Sequence, residues 1–264
     1  MSLSPRQTRD LLSFAETLAR RAGEILKKNF ANAHRVRYKG RIDPVTEADL
    51  RSEKFITTQI TKKFPDHTIL AEEGTGSGEA AEFRWVIDPL DGTVNYAHGF
   101  PIYCVSIGLE HDGRMVVGAV YDPERDEMFR GGRGIGSFVN RKRLHVSTET
   151  SVERALLATG FGYNIATARR NNLGLFARMA KKVQGLRRPG SAAMDLCWTA
   201  AGRVDGFWEL YLRPWDTGAA LVIVEEAGGR VTQVDGSPYS IFNDSLLTAN
   251  PRLHPKLQRL LSGK

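Results

Sequence analysis

Trp85-Val86-Ile87-Asp88-Pro89-Leu90-Asp91-Gly92-Thr93 runs from a β-branched apolar segment straight into two carboxylates three residues apart, with a proline and a glycine shaping the bend. A strand ending in such a turn presents both acids at the edge of a sheet, where open α/β folds bind their ligands. No histidine or cysteine accompanies them. An all-oxygen donor set suits a hard cation, Mg2+ or Mn2+, rather than zinc. The stretch therefore points to metal-assisted chemistry on a phosphate. A plain turn, with Asp88 on a backbone amide and Asp91-Gly92 in a tight bend, accounts for the Asp-Gly pair. It does not account for two acids at the end of a buried strand, where unpaired carboxylates repel and one is driven towards protonation. A bound divalent cation removes that conflict.

Other acids flank this stretch in sequence. Glu72 and Glu73 follow a strand-like run at 68–71. Adjacent residues of an extended chain point opposite ways, so one of the two faces the cation; two solvated surface glutamates are the competing reading. Asp216, in Trp215-Asp216-Thr217-Gly218, precedes an apolar run and reads as a helix N-cap whose second oxygen can reach a metal. Thr46-Glu47-Ala48-Asp49 fits a capping box opening a helix, and Asp49 fits a general base equally well. Gly92-Thr93 can open a short helical turn whose free amides receive a phosphate, with the Thr93 hydroxyl orienting a water.

The 264 residues suit one large domain or two intimately packed halves. Helical spacing is expected up to Phe30 and over 47–64. Strands are expected at 68–71, 103–109, 115–121 and 127–130, and the glycines of 131–136 read as a loop, since no helix follows to make a dinucleotide site. Strands at 155–159, 203–209, 230–234 and 246–249 alternate with helices at 171–182, 191–201, 216–227 and 251–261. Cys104 and Cys197 lie in apolar stretches and read as small core residues, which suits a reducing cytoplasm. No run is long enough to span a membrane and the first ten residues lack a signal-peptide core, so a soluble, cytoplasmic protein is expected. With 37 basic and 30 acidic residues the net charge is +7. The densest basic run is only Arg141-Lys142-Arg143, so a solvated basic surface explains the charge better than a nucleic-acid module.

Taken together, the stretch 85–95, Gly190-Ser191-Ala192-Ala193-Met194-Asp195-Leu196, Ala201-Gly202-Arg203-Val204-Asp205-Gly206-Phe207, Leu212-Arg213-Pro214-Trp215-Asp216 and Glu226-Ala227-Gly228-Gly229 resemble the inositol monophosphatase family, its bacterial branch in particular. The resemblance covers nearly the whole chain. It implies an α-β-α-β-α layered α+β fold as one domain over 1–264, usually homodimeric, with most metal ligands in a half ending near 145 and Asp216 with the polyol contacts in the half that follows. It implies a Mg2+-dependent, lithium-sensitive phosphatase acting on inositol 1-phosphate. Glu72 (not Glu73), Asp88, the Leu90 carbonyl, Asp91 and Asp216 match the metal ligands. Asp49 and Thr93 match the pair that activates water, and Gly92 and Thr93 match the phosphate turn. Arg187, Ala193, Glu209 and Asp216 fall where relatives frame the sugar alcohol, and Lys39 falls near a basic residue of a mobile metal-site loop. Arg213 stands where several animal members carry histidine, a difference that bears on substrate preference or the subunit interface. Related phosphatases of fructose 1,6-bisphosphate, histidinol phosphate or 3′-phosphonucleotides are the alternative enzymes. Association with RNA or RNA polymerase, as in some bacterial relatives, is the alternative of another class.

Overall fold

The computed structural model describes residues 3–30, 36–38, 44–74, 76 and 81–263. In chain order the elements are α1 (Pro5–Phe30), β1 (Val36–Tyr38), β2 (Pro44–Thr46), α2 (Glu47–Lys63), β3 (Thr68–Ala71), β4 (Phe83–Asp91), α3 (Thr93–Ala97), β5 (Cys104–His111), β6 (Arg114–Asp122), β7 (Glu127–Gly132), β8 (Gly136–Val139), β9 (Lys142–Arg143), β10 (Leu156–Thr159), α4 (Leu173–Ala180), β11 (Gly185–Arg187), α5 (Ala192–Ala200), β12 (Gly206–Leu210), α6 (Pro214–Glu226), β13 (Arg230–Thr232), β14 (Ser245–Ala249) and α7 (His254–Ser262).

Two sheets carry the fold. One has seven strands in the order β3-β4-β5-β6-β7-β8-β9, and the other has five in the order β11-β10-β12-β14-β13. The first is antiparallel except for β3 beside β4; the second is parallel at β11-β10-β12 and antiparallel beyond. Helix α1 buries a stripe of Leu12, Ala15, Leu18, Ala19, Ala22 and Leu26 and, with α2, covers one face of the large sheet over Trp85, Ile87, Ile107 and Leu109. The other face receives α6, which pairs with α5, and α5 in turn rests on the small sheet. The far face of the small sheet packs Trp208 and Leu247 against Met179 of α4 and Leu257 and Leu261 of α7. The layers are thus helix, sheet, helix, sheet, helix, the expected order.

Helix α6 explains its own position. Every residue from Thr217 to Val224 is buried, and a helix apolar all round has to be enclosed. The large sheet admits it because Gly108 and Gly118 face each other across β5 and β6. A Cβ at Gly118 would run into the Ala219 carbonyl, and one at Gly108 would lie 3.0 Å from the Ala219 nitrogen.

Several expected boundaries move. Gly131 and Gly132 end β7 and Gly136 opens β8, so the glycine-rich segment is a hairpin and only 133–135 form its turn. Elements as short as α3, β9 and β11 carry too few residues for periodicity to reveal. Among the described residues no helix is long and apolar enough to cross a membrane.

Candidate active site

Both acids of the opening stretch lie inside β4 rather than in a turn beyond it. Pairing with β5 runs Asp88↔Ser106 and then Asp91↔Cys104, so Pro89 and Leu90 together oppose a single residue. In an unbroken strand residues three apart point to opposite faces. The bulge resets the alternation. Ile87 and Leu90 both enter the core beneath α1 and α2, while Val86 packs with Leu221 and Val222 of α6. Asp88 and Asp91 therefore share the α6 side. Proline suits the bulge because it has no N–H to leave unpaired.

Register also separates the two glutamates. In the parallel pair β3–β4, Ala71 lies opposite Ile87, and both belong to the core beneath α1 and α2. The next residue, Glu72, comes to the face of Asp88, and its N–H donates to the Ile87 carbonyl at 3.2 Å. Glu73 is not among the residues that line the cleft with Asp88; its N–H donates to Glu53 Oε2 at 2.8 Å, and its charge helps to raise Asp49.

Asp216 is the third residue of α6, not its N-cap. Pro214 at the first helical position begins the helix two residues earlier than the apolar run suggests. The Arg213 N–H donates to Asp216 Oδ2 at 2.6 Å, which leaves Oδ1 for other work. Glu72, Asp88, Leu90, Asp91, Gly92, Thr93 and Asp216 all line one cleft of about 820 Å3.

The carboxylates are held from behind. Asp91 Oδ2 accepts from the Ser191 hydroxyl at 2.6 Å and the Ala193 N–H at 2.7 Å, and Asp88 Oδ1 accepts from the Leu90 N–H at 2.9 Å. The Thr93 hydroxyl lies 2.9 Å from the Leu90 carbonyl and 3.2 Å from Asp49 Oδ1. Asp49 is fully buried. Its Oδ2 accepts from the Thr46 N–H at 2.9 Å and from the Thr46 hydroxyl. The capping box and the reach to Thr93 thus coexist, one on each oxygen. Gly92, at φ 91°, caps α3, and a Cβ there would lie 2.8 Å from the Ile102 carbonyl.

Burial dominates the electrostatics. It raises Asp88 well above the usual carboxylate range, and Glu72, Asp91 and Asp216 raise it further. Burial also raises Asp91 against the pull of its hydrogen bonds, and raises Asp216, with Asp91 adding to it. Asp49 is pushed up to about 6 by burial, which outweighs its bonds to Thr46. Carboxylates that repel one another across a cleft are a donor set for a hard cation. Among the described residues no three acidic, histidine or cysteine side chains converge on one point as they stand. Mg2+ does not require that, since it keeps several waters and takes one or two carboxylates plus phosphate oxygens.

The remaining residues divide. Glu209 lines the cleft, 8 % exposed, and burial pushes it up to about 8 against the nearby Arg188 guanidinium. It points inward because Phe207, two residues earlier on β12, faces α5 while Trp208 faces the outer helices. A Cβ at Gly160 would collide with its carboxylate. Arg187 does not reach the cleft; it is exposed, with Nη1 on the Leu186 carbonyl at 3.0 Å. Arg188, one residue on, lines the cleft instead. Ala193 is also displaced. Its methyl group lies in the core and only its N–H serves the site, while Ala192 lines the cleft. Lys39 lies outside the described residues. Cys104 is buried as expected but borders the site, its Sγ 3.9 Å from Asp91 Oδ2.

Two further supports are not legible in the sequence. Asn95 Nδ2 donates to the carbonyls of Ile102 and Pro189, 2.8 Å each, tying α3 to the segment that leads into α5. Ser191 caps α5 by accepting from the Met194 N–H at 3.3 Å while donating to Asp91. A serine before an Ala-rich helix signals a cap; nothing signals its second bond. Ser191→Ala is expected to lower kcat by about 10- to 100-fold through loss of the Asp91 contact. It should also cost about 1 kcal/mol of stability. Steady-state kinetics and urea unfolding on one preparation check both.

A profile of the inositol monophosphatase family matches residues 7–263. The chain belongs to that family. Inositol-1-monophosphatase of Synechocystis sp. is 41% identical over 262 residues, 98% of this chain and 91% of that one. Nus factor SuhB of Pseudomonas aeruginosa is 40% identical over 94% of this chain and 99% of its own. The structure of inositol monophosphatase from Anabaena (Nostoc) sp. superposes with a TM-score of 0.89 at 41% identity, covering 97% of this chain and 96% of that one. This family member is therefore a phosphatase, a hydrolase of phosphate esters, with the layered inositol monophosphatase fold.

Proposed function

We propose that this phosphatase hydrolyses inositol 1-phosphate to inositol and phosphate with Mg2+, for which Mn2+ can substitute. The observation that carries the reading is that Glu72, Asp88, Asp91 and Asp216 line one cleft together with Leu90. These five groups would share the bound metal, each Mg2+ taking one or two of the carboxylates. When bound, it supplies positive charge to the phosphate oxygens and the departing alkoxide and acidifies the attacking water. The chain's own groups do the rest. Asp49 Oδ1 and the Thr93 hydroxyl are in direct hydrogen-bond contact at 3.2 Å, and a water bound beside the pair would be oriented towards phosphorus. A carboxylate with a pKa of about 6 is well matched to take that water's proton near neutrality. The first amides of α3, at Gly92 and Thr93, receive the phosphate. The leaving alcohol lies towards Glu209, whose oxygens accept bonds from its hydroxyls. Positioning and charge neutralisation supply most of the barrier lowering, and no covalent phosphoenzyme is required. The resemblance that supports this reading also supports lithium inhibition and a homodimer.

The test is phosphate release from inositol 1-phosphate, fructose 1,6-bisphosphate, histidinol phosphate and adenosine 3′,5′-bisphosphate. A clear preference for the first supports the reading. A preference for any of the others transfers the site to that substrate, and turnover of none contradicts the phosphomonoester reading.

Glu209→Gln provides a second check with a pH signature. The Glu209 carboxyl is raised from 4.5 to about 8 in the folded protein. Between those values the folded state binds more protons than the unfolded one, so stability falls as pH rises through that window. Glu209→Gln removes this cost. The variant should melt like the parent near pH 4 and increasingly above it towards pH 8, with a raised KM for inositol 1-phosphate. Melting curves across pH and steady-state kinetics read the two effects.

Nus factor SuhB among the relatives and the net charge of +7 support a second reading, association with RNA or RNA polymerase. Binding that weakens steeply with salt and survives loss of Asp88 would favour it.

A further inference from the structure

Helix α2 carries three polar residues on one face, Asp49, Ser52 and Glu53, and each is 1 % exposed or less. They stand at the i, i+3 and i+4 positions that bring helical side chains together. Each grips a different segment of the site. Asp49 Oδ1 meets the Thr93 hydroxyl at 3.2 Å. The Ser52 hydroxyl donates to the Pro89 carbonyl at 2.9 Å, inside the bulge between Asp88 and Asp91. Glu53 Oε2 accepts from the Glu73 N–H at 2.8 Å. A buried carboxyl costs stability unless it is bonded, so an acid at this position calls for a reason, and the backbone around Glu72 supplies one. Two amides flank the Glu72 Cα. Its own N–H is held by the Ile87 carbonyl at 3.2 Å, and the N–H of Glu73 is held by Glu53. Peptide units are planar, so anchoring both leaves Glu72 little freedom in φ and ψ and sets the direction of its side chain.

We propose that Glu53 is a positioning residue for the metal site: its bond to the Glu73 N–H aims the Glu72 carboxylate into the cleft and holds it in register with Asp49, four residues earlier on the same helix. This rests on the phosphatase reading, in which Glu72 is a metal ligand, and adds what keeps that ligand in place. Glu72 has particular need of support. Asp88 and Asp91 lie within β4 and Asp216 lies within α6, whereas Glu72 follows the last residue of β3, the edge strand of the large sheet. A metal site that loses a hydrogen bond supporting one of its ligands binds metal about 10- to 100-fold more weakly. If Glu53 only closed the turn after β3, its loss would lower stability and leave metal affinity where it is.

The experiment titrates Mg2+ into the parent, Glu53→Leu, Glu53→Gln and Glu53→Asp. It reads the concentration at which the melting temperature begins to rise, which needs no turnover, and the concentration that gives half-maximal phosphate release from inositol 1-phosphate. Glu53→Leu removes the acceptor, so both concentrations should increase about tenfold, with most of kcat recovered at saturating Mg2+. Glu53→Gln keeps an Oε1 for the Glu73 N–H and should stay close to the parent. Glu53→Asp keeps the carboxyl but is one methylene shorter, and both concentrations should move in the direction of the leucine variant. Unchanged concentrations in Glu53→Leu, even with a lower melting temperature throughout, overturn the proposal. So does a shift in Glu53→Gln as large as that in Glu53→Leu, since charge rather than the acceptor would then matter. If the leucine variant fails to fold, Glu53→Asp carries the test, and unchanged concentrations there overturn the proposal equally. A parent whose melting temperature and phosphate release both ignore Mg2+ contradicts the metal reading and this proposal with it; a parent that responds to Mg2+, with variants that respond identically, contradicts only the role of Glu53.

Discussion

Asp88→Asn is expected to reduce phosphate release by about three orders of magnitude while making the metal-free protein more stable. The two effects share one cause. Asp88 is buried, and after burial the largest influences on it are three other carboxylates. In the folded protein without a cation, an ionised Asp88 is desolvated and repelled by Glu72, Asp91 and Asp216, against which it has the Leu90 N–H. Asparagine removes that charge at nearly constant volume and keeps an Oδ1 for the Leu90 N–H, now 2.9 Å away. Each kcal/mol so gained raises Tm by about 2–4 °C in a chain of this size. Mg2+ should reverse the order, because a cation that binds only the folded state stabilises it by mass action. The parent gains that stabilisation and the variant loses most of it. Thermal melts in EDTA and in Mg2+, beside phosphate release, give four numbers. The expectation is variant above parent in EDTA, parent gaining more in Mg2+, and variant nearly inactive. A variant as active as the parent at saturating Mg2+ would remove Asp88 from the metal site.

Gly118→Val is expected to unfold the protein or to cost more than about 4 kcal/mol, beyond the usual range for a single substitution. Ordinary overpacking costs about 1–3 kcal/mol because side chains shift to make room. Here the obstacle is backbone. The new Cβ would run into the Ala219 carbonyl of α6, and α6 is enclosed between the large sheet and α5. It cannot retreat without opening both interfaces. Gly174, in α4, is the control. It has an ordinary φ, and a Cβ added there would meet nothing within 4 Å, so Gly174→Ala should gain about 0.5–1 kcal/mol. Urea unfolding of both variants separates close helix-on-sheet approach from glycine content as such. A Gly118→Val protein as stable as the parent would contradict this packing of α6.

The chemistry of the site is readable from residue types, whereas its geometry depends on shifts of one residue that no periodicity encodes. Asp88 and Asp91 stand out because acids are rare in a buried apolar run. That they share a face follows from the bulge at Pro89-Leu90, and without it their spacing would separate them. Glu72 and Glu73 are equivalent until the Ala71↔Ile87 register decides between them. Arg187 and Arg188 are alike in sequence, and a three-residue strand is too short to show which one lines the cleft. Ala192 and Ala193 differ only in helical phase. Asp216 reads as a cap because its apolar run starts afterwards, and the proline two residues before it is the signal that places it inside the helix. The layers are better marked: alternating apolar strands and an all-apolar helix at 217–224 have few ways to pack.

Phosphate release from inositol 1-phosphate by the parent protein, stripped with EDTA and then resupplied with Mg2+, tests most directly whether the acid-lined cleft is a cation-dependent phosphatase site. Negligible release in EDTA and restored turnover on adding Mg2+ is the predicted result. Undiminished release in EDTA would contradict the role given to Glu72, Asp88, Asp91 and Asp216.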